Sequence, residues 1–152
     1  MHVGRLGMGE LIAALGGLLL AACLFLPWYE TSPDNRNAVI DGVRGALSGW
    51  EVHGLMRWLL LAAAAAPFIL IWIVVRQHEL SWPRGEMTAV AAIAAFGLVA
   101  YTGFLDRPGE PAGAISLQPG FYGALLGTIL MILGGAMSAG ETERVRKPPG
   151  VM

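Results

Sequence analysis

Apolar positions along this chain gather into four long unbroken runs, at about 11–29, 58–75, 87–105 and 121–139, and no Asp, Glu, Lys, Arg or His interrupts any of them. A helix needs about 20 apolar residues to cross a bilayer, within a range of roughly 17–25. All four runs fit. None alternates apolar and polar residues with period two, so membrane strands are a poor alternative. Backbone in hydrocarbon must satisfy its own hydrogen bonds, and helices do that within one segment. The expectation is an all-α fold, a transmembrane four-helix bundle forming a single integral membrane domain over 1–152.

The polar segments divide unequally. The expected outer loops are 30–57 and 106–120, the inner loop is 76–86, and 140–152 forms a cytoplasmic tail. The first outer loop lies in the stretch LPWYETSPDNRNAVIDGVRGALSGWE, framed by Trp28 and Trp50. Indole rings favour the headgroup level, so these two are expected to pin the loop near the interface. Asp41-Gly42, between Ile40 and Val43, is a two-residue hairpin signal. The turn-rich 31–37 segment argues instead for a loose loop. The loop is therefore expected to be structured or partly structured. The second outer loop holds three prolines and reads as irregular chain. Pro83 reads as a helix stop in the inner turn.

Arginine and lysine near span ends set orientation. With the first residue inside, the inner side holds Arg5, Arg76, Arg84, Arg144, Arg146 and Lys147, against Arg36, Arg44, Arg57 and Arg107 outside. Arginine far outnumbers lysine, and alanine and glycine abound, as in a GC-rich bacterial genome. The expected location is the bacterial inner membrane, with both termini cytoplasmic. Tyr29, Tyr101 and Tyr122, together with Trp28, Trp58 and Phe121, fall at one face and support the four-span register.

Lipid tails are as apolar as leucine, so association rests on close approach through small residues. Ala13, Gly17 and Ala21 recur every four residues on the first span, and Gly123 and Gly127 do so on the fourth. Pro67 removes a backbone hydrogen bond and is expected to kink the second span.

Composition narrows the chemistry. Of 152 residues, 55% are hydrophobic and 14% charged, and the net charge is −1, which offers no basic surface for nucleic acid. A single cysteine excludes an intrachain disulfide. It sits in Leu20-Ala21-Ala22-Cys23, a lipobox-like pattern that makes Cys23 a candidate for lipidation; the alternative is a packing residue. Glu51 and His53, with Asp34 or Asp41 nearby, form a sparse cation-ligand set, and solvated loop charges are the simpler reading. His78, Glu79 and His2 read as interface or terminal residues. No catalytic triad, HExxH or nucleotide-binding glycine loop occurs, so the chain reads as non-catalytic, with no cofactor. The spans carry no ionisable residue of the kind carriers use, and Thr128 is their deepest polar group.

The Pro27-Trp28-Tyr29 sequence closing the first span, Trp50-Glu51 before the second, and the glycine-rich last span resemble small four-span membrane proteins of actinobacteria. The resemblance covers most of the chain and implies topology without a mechanism. With Trp28, Tyr29, Trp50 and Glu51 as contact or interface-anchoring residues, the expected function is an accessory, scaffold or assembly protein. Its partners would be membrane lipids and a membrane-protein partner or further copies of itself. The alternative is a small transporter or oligomeric channel for a lipophilic or small solute.

Overall fold

The structure is a computed structural model that describes residues 7–40, 42–76, 85–105, 109 and 115–146. The expected hairpin residue Asp41 and the inner-turn residues His78, Glu79, Pro83 and Arg84 lie outside them, as do His2, Arg5, Arg107 and Lys147. The elements are α1 (Met8–Cys23), β1 (Pro27–Thr31), β2 (Ala46–Ser48), the single turn α2 (Gly49–Val52), α3 (Met56–Val75), α4 (Glu86–Ala100), β3 (Ile115–Leu117) and α5 (Pro119–Arg146). A π-helical turn, Tyr101–Leu105, prolongs α4.

Three helices are long and apolar enough to cross a membrane: Met56–Val75, Glu86–Leu105 and Pro119–Gly140. At 1.5 Å per residue, 20 residues reach about 30 Å, the thickness of the hydrocarbon core. α1 is shorter, at 16 residues. The expected first span of 11–29 is thus corrected. The helix ends at Cys23, and bonds from Phe25 N–H to Ala22 O and from Leu26 N–H to Cys23 O tighten its exit. Pro27 stops it, because a proline lacks an N–H and drives the preceding residue towards extended backbone.

The all-α expectation is corrected by a three-stranded antiparallel sheet in the order β2-β1-β3. Pro27 opens its central strand, where a missing N–H is tolerated. Tyr29 pairs with Leu47 on one side and Leu117 on the other, so both expected outer loops contribute a strand. The 31–45 connection ends in a minimal hairpin. Ile40 and Val43 exchange both backbone bonds at 2.9 Å, with Gly42 at φ +79°. A positive φ favours glycine in such a two-residue turn. At the other end of the chain the helix continues to Arg146, past the expected boundary at 139.

α1 packs on α5 and α3, and α4 packs on the same two helices. The ends that meet the sheet are the C-termini of α1 and α4 and the N-termini of α3 and α5. At the opposite end Gly9, Gly85 and Ser138 come together, so both ends of the described chain lie on that side. Between helices, backbones touch. A methyl group added at Gly16 would lie 2.5 Å from Gly127 O, and one added at Gly127 would lie 2.7 Å from Gly16 O. Gly17 faces α3 instead: its added methyl would lie 2.5 Å from Ala64 O and 2.9 Å from the Pro67 ring. Gly123 accommodates the Cys23 sulfur. α3 runs through Pro67 as one helix, with the proline buried.

Large apolar side chains cover the outward faces: Leu11, Leu15 and Leu18 on α1, Ile69 and Trp72 on α3, Val90 and Ile93 on α4, and Leu126 and Leu133 on α5. Soluble proteins do not expose apolar surface on this scale. The helices are built for a hydrocarbon surround.

Candidate functional site

Trp28, Tyr29, Trp50 and Glu51 lie where the sheet meets the helix ends, whereas Gly17, Gly127 and Pro67 lie along the helices. Successive residues of a strand normally point to opposite faces, yet Trp28 and Tyr29 are both fully buried. The β1–β2 register shifts between Pro27 and Tyr29, and this irregularity turns both rings inward. Their expected place at the lipid interface is therefore corrected. They form the joint between cap and helices.

Trp28 completes the end of α1. Its indole Nε1–H donates to Cys23 O at 2.7 Å, a second bond to the carbonyl that also accepts from Leu26 N–H. The next carbonyl, Leu24 O, accepts from Trp50 N–H at 2.9 Å. The Trp28 ring packs edge-on against Phe121 at 5.8 Å and His53 at 5.6 Å. Gly49 lies flat beneath it, since an added methyl would lie 2.5 Å from the indole.

The Tyr29 hydroxyl lies 3.0 Å from His53 Nε2 and 3.5 Å from Thr102 O. If His53 carries its proton on Nδ1, the phenol donates to Nε2. If the proton is on Nε2, the imidazole donates and the phenol turns to Thr102 O. Either arrangement ties β1 to His53, the residue after α2, and the second also ties it to the π-helical turn. Phe121, at the start of α5, fills the space above Gly103 in that turn. Sequence reasoning passed over Phe121 and His53 as parts of this joint. A histidine beside a buried tyrosine has no local sequence signature when the two are 24 residues apart.

Glu51 has a structural role. Ser48 Oγ accepts from Glu51 N–H at 3.2 Å, and Glu51 Oε2 accepts from Ser48 N–H at 2.9 Å. This reciprocal capping box builds α2, and the Ser48-Gly49-Trp50-Glu51 sequence carried its signature. Glu51 and His53 therefore serve different partners. Among the described residues no group of three His, Cys, Asp or Glu side chains could hold a metal ion.

Trp50 is half-buried and remains near the outer surface. Its ring lies tilted against Phe25 at 5.1 Å and edge-on to Trp58 at 5.0 Å. Cys23 is buried against Gly123. Cleavage before it would remove α1 and its whole contact with α5. Thr128 is buried, and its hydroxyl donates to Leu125 O at 2.7 Å within its own helix. Glu10 is buried in the first turn of α1, where Oε2 accepts from Gly7 N–H at 2.8 Å.

The site offers an aromatic joint, a capped turn and one imidazole–phenol pair. Its chemistry is positional: it fixes a polar cap to apolar helices. Comparison with protein-family models, with curated proteins and with solved structures gave no match.

Proposed function

We propose that this chain is a non-catalytic multi-pass membrane protein, a transmembrane four-helix bundle that holds a small sheet rigidly outside the bilayer as a contact surface for assembly. The observation that supports this most directly is the welded cap. Trp28, Tyr29 and Phe121 belong to the same buried cluster as helix residues Leu20, Ala64 and Val99. Loop-borne aromatics that served only as lipid anchors would need no such burial. Above the joint, β2 and β3 are edge strands, and Val43 is exposed at the hairpin tip. Open strand edges and apolar tips suit pairing with another chain.

The excess of arginine and lysine on the opposite side supports an outward-facing cap with both termini in the cytosol. Partners of this reading are lipid and either a membrane-protein partner or a second copy. Purification in mild detergent tests it. A stoichiometric partner or a homo-oligomer is expected, lost in a Val43→Asp, Ala46→Asp variant that keeps its melting temperature. A monomer carrying no other protein, in both forms, contradicts it.

Glu10 gives the transporter alternative its one specific support, because buried ionisable groups in spans are usually functional. Its bond to Gly7 N–H fits a helix-capping role better. Solute flux in liposomes that changed on Glu10→Gln would favour transport.

A further inference from the structure

Arg57 is the second residue of α3 and stands just below the cap. Its guanidinium carbon lies 5.0 Å from the Trp50 ring centre and 5.7 Å from that of Trp58. One donor, Nη1, bonds Trp50 O at 3.2 Å. Nε is buried and has no acceptor in the structure. A guanidinium carries five N–H donors and no acceptor capacity, so this one is held in place with most of its donors uncommitted. Among the described residues no carboxylate pairs with it, and the helix N-terminus adds positive character. The first turn of α3 contains no acidic residue and no side-chain cap. The sequence neighbour Glu51 is engaged with Ser48. A cation at a helix N-terminus is electrostatically unfavourable unless an anion joins it.

Apolar side chains next to this cation in sequence, and Phe25 beside Trp50, are open. Leu55 is 76% exposed, and Phe25, Trp58 and Leu59 are more than half exposed. An anion arriving here would bring or meet hydrocarbon. We infer that Arg57, clamped by Trp50 and Trp58, binds the phosphodiester of a phospholipid headgroup, with Phe25, Leu55 and Leu59 against its acyl chains. Arginine suits this task, because its planar fork matches phosphate oxygens in pairs while its faces stack on indoles. The two indoles fix the fork, so little side-chain freedom remains to be lost on binding. A headgroup without its own cation, such as phosphatidylglycerol, is preferred over phosphatidylcholine.

This inference rests on the membrane reading, and the test separates the two. The full chain, purified in mild detergent, is titrated with phosphatidylglycerol, with phosphatidylcholine and with inorganic phosphate, and bound species are counted by native mass spectrometry. One tightly held phosphatidylglycerol per chain is expected. Its affinity falls about tenfold in Arg57→Gln, while Arg44→Gln, which alters an exposed loop cation, leaves it unchanged. Arg57→Lys keeps charge and stem and serves if the glutamine variant does not fold; it loses about threefold, because an ammonium lacks the fork. Equal lipid retention by wild type and a folded Arg57 variant overturns the site. So does displacement by millimolar inorganic phosphate, which would identify a dissolved anion as the ligand. A chain that stays in the membrane pellet after alkaline carbonate yet holds no lipid at Arg57 refutes the site alone. A chain released by carbonate refutes the membrane reading with it.

Discussion

Trp28 bonds the last residue of α1, covers Gly49 of α2 and touches Phe121 of α5, all through a single side chain. Its replacement by alanine therefore removes a hydrogen bond to Cys23 O and leaves a void beside Phe121 and Gly49. Burial losses of this kind cost about 3–5 kcal/mol, and chemical denaturation in detergent should show that drop for Trp28→Ala. Tyr29→Phe keeps the ring and loses only the hydroxyl. It should cost about 1 kcal/mol. If the hydroxyl acts through His53, the cost largely disappears in a His53→Ala background, a coupling that a double-mutant cycle measures. The sequence marked Trp28, Tyr29, Trp50 and Glu51 as contact or interface-anchoring residues, and the structure buries Trp28 and Tyr29. Aromatics beside a polar loop look alike whether they face lipid or core. Only the register shift of β1 against β2, which depends on partners about 20 residues away, turns both rings inward. Glu51 was legible as a cap, since Ser48 stands three residues before it.

Among the elements, the helices were readable and the strands were not. Long uncharged runs leave α3, α4 and α5 little alternative in hydrocarbon, while three-residue strands such as β2 and β3 carry no periodicity to detect. The boundary error at α1 had a local signal in Pro27 that length alone obscured. Helix contact faces were half legible. Gly127 and Gly123 do meet α1, but Gly127 faces Gly16, Gly123 faces Cys23, and Gly17 points to α3. A four-residue repeat of small residues finds a face without naming the neighbour. At the α1–α5 contact the opposing atoms are backbone, so an added side chain has nothing soft to displace. Gly127→Val should destabilise by about 1–3 kcal/mol, the range for overpacking. Gly97, also on an apolar helix, has open space where its side chain would go. Gly97→Ala should stay within about 0.5 kcal/mol of wild type. A large loss at 97 or none at 127, read as the midpoint of detergent-denaturant unfolding, would contradict this packing.

For the whole molecule, apolar faces turn outward along the helices and a polar sheet closes one end. That division explains why so greasy a chain keeps a polar island: the island is a folded lid attached to the helix ends. Composition and run length revealed the membrane class, because hydrocarbon thickness acts directly on local sequence. The lid was hidden because it is assembled from two distant loops. The most direct test places single cysteines in a Cys23→Ala background, at Ser32 in the cap, at Ile69 within α3 and at Arg76 beyond its far end, and treats intact cells with a membrane-impermeant maleimide. The account predicts labelling at Ser32→Cys from outside, at Arg76→Cys only after permeabilisation, and at Ile69→Cys in neither case while the bilayer is intact. Labelling of the positions 32 and 76 from the same side, or ready labelling at position 69, would contradict it.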